Sequence, residues 1–345
     1  MKVCIYGAGA IGGYLGVMLK RGGADVSLIA RGAHLDAICK DGLKLQIGDE
    51  TLHERFEASD HPADLGQHDY VIIALKAHQA WESAGSVVPL LGPSTTVVTA
   101  QNGLPWWYFY KLKGPYEDKR LMSVDPGDRQ WNAIGPERVI GCTVYPATQL
   151  EAPGVIRHVA GDRFGFGEPS GEKSVRLGKL TAAINAGGLV AKEYDDIRDD
   201  IWIKLWGNLC FNPISALTHA TLDVIATSPG TRSLAQNMMR EAQEIGERLG
   251  VHFRVDMTRR IDGAARVGAH RTSMLQDLQR GRPIELDALL AAVSEMGQIA
   301  GVKTPYMDAV LALTQQMGEV AGVYPVFPVN THQPDASAMA ATGTA

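Results

Sequence analysis

The sequence predicts a two-part molecule, an α/β half built on a parallel sheet followed by an all-helical half. Three observations predict it. Short apolar runs alternate with helical stretches through the first half of the chain. The opening run Lys2-Val3-Cys4-Ile5-Tyr6 leads directly into Gly7-Ala8-Gly9-Ala10-Ile11-Gly12. From about Ile197 strand signals stop and long amphipathic stretches take over.

Taken in order, residues 2–6 form a strand, the glycine run a tight turn, and residues 13–19 a helix. Asp25-Val26-Ser27-Leu28-Ile29 is the next strand. A G-x-G-x-x-G in a strand–turn–helix–strand setting is the dinucleotide-binding fingerprint of a Rossmann domain. Gly7 allows the tight turn, Gly9 lets the backbone approach a pyrophosphate, and Gly12 lets helix and strand pack closely. Ala8, Ala10 and Ile11 complete the loop, whose N–H groups face the phosphates. An NAD-selective site has an acidic residue at the end of the second strand. Here the strand runs into Ala30-Arg31-Gly32. Arg31 can pair with a 2′-phosphate, which favours NADP(H); its other reading is an exposed loop charge.

Residues 70–75 read as a strand buried on both faces, and 95–100 as another, rich in β-branched residues. Later strands are expected at 139–145, 154–159 and 163–167. A helix at 174–186 and a returning strand at 189–194 follow. Helices are then expected at 201–220, 231–249, 257–265, 286–300 and 304–320. The expected domains are residues 1–196, binding NADP, and residues 197–330, helical and carrying the substrate. The small polar stretch 331–345 reads as a disordered tail.

Composition narrows the function. The chain has 345 residues, 45% of them hydrophobic, and 38 glycines, enough for real cores and for a turn-rich α/β fold. A net charge of −5 gives no basic footprint for nucleic acid. The 4 cysteines are dispersed; Cys4 and Cys210 read as buried thiols, and no metal-binding spacing appears. The chain opens on a strand rather than a signal peptide, and no apolar run has the length of a membrane span. The expectation is a cytoplasmic protein with no membrane and no metal.

Ligands of open α/β sheets bind beyond the carboxyl ends of strands. Lys76 and Asn102 stand at two such ends. Either can equally be ordinary: a solvated loop lysine, or an Asn-Gly turn. The stretch 201–212 is apolar nearly all round, yet Lys204, Asn208 and Asn212 recur every fourth residue and form one polar stripe. A buried lysine needs partners or a lowered pKa, so this stripe suits a small polar ligand in a cleft between domains. The alternative is a surface stripe with a snorkelling lysine. Ser273 can be a helix cap, and Glu285, after Pro283, an ordinary first-turn acid.

Together these residues resemble the ketopantoate reductase (2-dehydropantoate 2-reductase) family. The resemblance is carried by Gly7-Ala8-Gly9-Ala10-Ile11-Gly12-Gly13, Leu75-Lys76-Ala77-His78-Gln79 and Gln101-Asn102-Gly103. It continues through Pro153-Gly154-Val155-Ile156-Arg157-His158, Lys204 to Pro213 with both asparagines, Ser273-Met274-Leu275-Gln276-Asp277, and Arg282-Pro283-Ile284-Glu285. It implies a helical domain of the 6-phosphogluconate dehydrogenase-like type and NADPH-dependent reduction of a small 2-oxo acid, ketopantoate first, in pantothenate biosynthesis. It implies roles too. Lys204 would be the general acid protonating the ketone oxygen. Glu285 would hydrogen-bond the substrate hydroxyl and help orient the site. Asn102, Asn208, Asn212 and Ser273 would hold the substrate, with Ser273 near its carboxylate. Lys76 and Asn102 would line the nicotinamide end, and Arg31 would meet the 2′-phosphate.

One departure stands out. Family members go quickly from Gln-Asn-Gly to the next strand, whereas here Pro105-Trp106-Trp107-Tyr108-Phe109-Tyr110 and a polar stretch to about Arg138 intervene. This insert either packs on the domain or on another subunit, or walls the active site. A reductase of another 2-oxo acid and a non-catalytic NADP(H) sensor are the alternatives; the catalytic set argues against a sensor. The apolar surface of the helical half leaves room for a homodimer.

Overall fold

The computed structural model describes residues 1–324; the tail expected at 331–345 lies outside them. The first half is built on an eight-stranded sheet. In chain order its elements begin with β1 (Lys2–Tyr6), α1 (Ala10–Arg21), β2 (Asp25–Ile29) and α2 (Gly32–Asp41), followed by β3 (Leu43–Ile47), β4 (Glu50–Glu54) and β5 (Glu57–Ser59). Next come β6 (His68–Ile73), α3 (Ala77–Glu82), α4 (Ala84–Val87), β7 (Leu91–Thr99), α5 (Arg129–Ile134) and β8 (Val139–Val144). The half closes with β9 (Ala147–Ala152), β10 (Val155–Ala160), β11 (Arg163–Gly167), α6 (Val175–Ala186) and β12 (Val190–Glu193).

The main sheet runs β12-β11-β8-β7-β6-β1-β2-β5, with every pairing parallel except β8 with β11. Alternate residues of β1 face opposite sides. Val3 and Ile5 join the core under α1 and α6, while Cys4 and Tyr6 join the larger core shared with the helical half.

The strand expected at 154–159 is present as β10, whereas β3, β4, β5 and β9 were not expected. Residues 154–159 do not extend the main sheet. They form β10 of a separate four-stranded sheet, β4-β3-β10-β9, which packs over α1. Gly13 permits that approach: a Cβ there would stand 2.1 Å from Ile156 Cδ1 and 3.0 Å from Leu43 Cδ2.

The helical half follows as α7 (Ile197–Thr218), α8 (Leu222–Thr227), α9 (Pro229–Arg248), α10 (Met257–Arg266) and α11 (Ser273–Gln279). A π-helical turn (Asp287–Ala291) then runs into α12 (Ala292–Ala300), and α13 (Pro305–Val320) is the last described helix. No described strand follows β12. α7 starts earlier than the apolar pattern suggests, because Asp196 caps it by accepting from Arg198 N at 2.9 Å. No helix among the described residues is long and apolar enough to cross a membrane.

Candidate active site

The glycine loop behaves as its spacing requires. Gly7 has φ +102°, in the left-handed region, and a Cβ there would approach Leu75 Cδ2 to 2.6 Å. A Cβ at Gly12 would stand 2.1 Å from Gly7 O, while one at Gly9 would meet nothing within 4 Å. Gly9 therefore leaves an open cradle in front of α1. No side chain caps that helix, so the N–H groups of Ala10, Ile11 and Gly12 lack intrahelical acceptors. The hollow beside them, about 180 Å³, is lined by Gly7, Ala8, Gly9, Arg31 and His34 among others. Arg31 is exposed just beyond β2 and makes no ion pair among the described residues. His34 was not anticipated from sequence. Gly154 N donates to its Nδ1 at 2.9 Å, so Nε2 carries the proton donated to Ala8 O at 2.7 Å. The ring thereby ties the glycine loop to the second sheet.

The catalytic candidates meet where the two halves face each other. Lys204, on α7, donates from Nζ to Asn102 Oδ1 at 2.5 Å and to Val144 O at the end of β8. Burial pushes its ammonium down to about 8, while the negative charges of Glu285 and Asp200 work against that shift. Asp200 itself accepts from Thr143 Oγ1 and from Tyr145 Oη at 2.9 Å. Asn102 is held by its neighbour. Gly103 has φ +88° and lies against the π-helical turn, where Ala288 O accepts from Leu104 N at 2.8 Å. The Asn-Gly turn is thus realised, and the Asn102 side chain meets Lys204.

Glu285 precedes the helical turn rather than opening it. Its Oε1 accepts from Ala77 N at 3.2 Å, at the start of α3. Burial raises its carboxyl above the usual range, and Lys76 and the Ala77 N–H hold it down. Lys76 bridges the halves by donating to Asp277 Oδ2 at 2.6 Å and to Pro283 O at 2.8 Å.

One cavity is lined by Asn102, Lys204 and Asn208, so the structure brings these three together. Asn212 is buried but does not line it. A spacing of four drifts by about 40° per step on a helix of 3.6 residues per turn, so by Asn212 the stripe has turned away. Ser273 is exposed in the first turn of α11 and does not line the cavity either. The cap of that helix is Thr272, whose side chain accepts from Leu275 N at 3.2 Å.

The insert packs on the chain and lines the cavity. Trp107, Tyr108 and Phe109 are fully buried. Trp107 Nε1 donates to Thr99 Oγ1 at 2.9 Å, and Trp202 Nε1 donates to Tyr108 Oη at 2.6 Å. Arg198 of α7 donates to the carbonyls of Tyr108 and Tyr110 at 2.8 and 2.7 Å. Leu104, Pro105, Trp106, Val124 and Gln130 reach the cavity. Sequence reasoning missed Gln130, Asp200 and the Val144 carbonyl. The first two sit in ordinary polar surroundings, and a backbone acceptor has no residue signature.

Comparison with known proteins bears on this geometry. The family profile described as ketopantoate reductase PanE/ApbA matches residues 3–171, and that of its C-terminal part matches residues 196–318. A 2-dehydropantoate 2-reductase from Mesorhizobium japonicum is 55% identical over 306 residues, covering 88% of this chain and 94% of that protein. A solved candidate ketopantoate reductase from Ralstonia solanacearum MolK2 is 41% identical, with a TM-score of 0.89 over 93% of this chain and 99% of that one. A PanE/ApbA family ketopantoate reductase from Ralstonia eutropha JMP134 is 27% identical, with a TM-score of 0.80 over 93% and 100%.

Proposed function

The chain belongs to the ketopantoate reductase family, and on that premise we propose that it reduces 2-dehydropantoate to pantoate, using NADPH as the hydride donor. The observation that carries this reading is the half-buried Lys204, its ammonium held between Asn102 and the end of β8 at the cavity between the halves. When bound, the cofactor supplies the hydride. The chain's own residues do the rest. As negative charge develops on the ketone oxygen, Lys204 stabilises it and gives up the proton from Nζ. With a pKa of about 8, Nζ is mostly charged at neutral pH yet releases its proton readily. Glu285 keeps that charge in place from a position fixed by Ala77 N. Asn102 and Asn208 fix the distance and angle of the reacting carbonyl.

The open cradle at Gly9 and the uncapped start of α1 fit a pyrophosphate. Arg31, unpaired beside the same hollow, supports the NADPH preference through a fork that matches a 2′-phosphate. Tyr306, Leu313 and Val320 are exposed along α13, apolar surface in keeping with a homodimer.

The test is optical: oxidation of NADPH and of NADH by the purified protein, with ketopantoate and a panel of other 2-oxo acids. The expected result is turnover with ketopantoate and a preference for NADPH. Arg31→Ala should raise the KM for NADPH by roughly 10-fold or more and leave that for NADH nearly unchanged. Activity confined to a different oxo acid contradicts the proposal.

A further inference from the structure

Two charged side chains one turn apart on α7 grip the end of β8, and the proton transfer uses only one of them. Lys204 donates to Val144 O. Asp200 accepts from the residues on either side of that carbonyl, from Thr143 Oγ1 and from Tyr145 Oη at 2.9 Å. Tyr194, just beyond β12, hydrogen-bonds Asp200 as well. Gly165 of β11 makes room for the cluster: a Cβ there would stand 2.3 Å from Thr143 Oγ1 and 2.6 Å from Asp200 Oδ2. Three hydroxyls donate to Asp200, and a group that only accepts is an ionised carboxylate. It is 3% exposed. Its neighbour Asp199 pairs with Arg254 at 3.4 Å, whereas Asp200 makes no ion pair among the described residues. Arg163 lies over the Tyr145 ring instead, 3.9 Å from its centroid. A buried carboxylate without a cation of its own is costly to keep.

We infer that Asp200 is a positioning residue for the reduction: it fastens the end of β8 to α7, so that Val144 O sets Lys204 Nζ, and its fixed charge keeps that amine protonated until the ketone takes the proton. The inference rests on the proposed role of Lys204 and deepens it. Residues four apart on a helix share a face, so the carboxylate at 200 acts on the ammonium at 204 where little water screens it. Three other groups face Lys204: Cys142 from β8, the Tyr145 ring with its centroid 5.9 Å from Nζ, and Glu285 ahead of the π-helical turn. Burial pushes the Cys142 thiol and the Tyr145 hydroxyl well up, so both are uncharged at neutral pH. Glu285 and Asp200 are then the negative charges at the amine. Glu285 is tied to α3 through Ala77 N, and Asp200 to β8. Asp200 does not line the cavity, so it works through Lys204 and β8 rather than on the substrate.

The experiment is the pH–rate profile of NADPH-dependent ketopantoate reduction, beside the pH dependence of Lys204 acetylation by acetic anhydride, read by mass spectrometry of the labelled peptide. Wild type, Asp200→Asn, Thr143→Val and Asp199→Asn are compared, each checked for folding by thermal melting. Asp200→Asn keeps the shape and removes the charge. It should lower the Lys204 midpoint by about one pH unit in both measurements and the level kcat at low pH by roughly tenfold, with the KM for NADPH unchanged. Thr143→Val keeps the charge and cuts one hold on β8, so it should lower that kcat and leave the midpoint in place; it decides alone if Asp200→Asn does not fold. Asp199→Asn removes a structural acid from the same turn and should lower the melting temperature without moving the midpoint. A midpoint unmoved in folded Asp200→Asn, or a kcat unmoved in Thr143→Val, overturns the inference. Wild-type enzyme idle on ketopantoate, with the labelling midpoint still lower in Asp200→Asn, contradicts the proposed function and upholds the hold of Asp200 on Lys204.

Discussion

Lys204 is an ammonium kept where water is scarce, and its two hydrogen bonds and two nearby carboxylates make that tolerable. Lys204→Ala should leave folding and cofactor binding intact and lower kcat by roughly 10²–10⁴-fold, as steady-state assays will read. The pH dependence has a definite sign. Ketone reduction needs the protonated amine, so kcat should hold level below a pH of about 8 and fall above it. Because the charge of Glu285 raises the Lys204 pKa, Glu285→Gln should move that midpoint downward, which a pH–rate profile detects. The lysine and Asn208 were legible from a polar stripe in an apolar helix. Asn212 was not separable from them, because how the helix docks decides which step of the drifting stripe leaves the cavity.

The elements are positioned by a few close backbone approaches. Gly12→Ala would drive a Cβ to 2.1 Å from the Gly7 carbonyl and 2.9 Å from Ile5 Cγ2. It should cost about 1–3 kcal/mol of stability and weaken cofactor binding, read by thermal melting and by a nucleotide titration. The strand–glycine–helix start of the chain was legible because its local chemistry and its tertiary role coincide. Of the second sheet only β10 was legible. Leu43-Lys44-Leu45 carries the period of two, with both leucines buried and the lysine exposed. β4, however, buries only Leu52 of its five residues and has almost no apolar signature. The π-helical turn is equally silent in sequence: its widening shows only in the bond from Ala292 N to Asp287 O, five residues back.

At the scale of the molecule, the site is the seam between an α/β half and a helical half, and side chains far apart in sequence hold it shut. Lys76 reaches across to Asp277, which also pairs with Arg282 at 3.0 Å. Asp277→Asn leaves both cations without their charge partner and should cost about 1–3 kcal/mol, measured by denaturant unfolding. The division into halves was legible, because strand signals stop where α7 begins. The seam was not, because Lys76 and Asp277 lie 201 positions apart and nothing local to either one names the other. The central claim is that this seam reduces ketopantoate with Lys204 as the proton donor. The most direct measurement is kcat for NADPH-dependent ketopantoate reduction by the wild type and by Lys204→Ala, with NADPH affinity measured alongside. The account predicts rapid wild-type turnover and a variant that binds NADPH normally but is slower by at least roughly 10²-fold. A variant with near-normal kcat would contradict it.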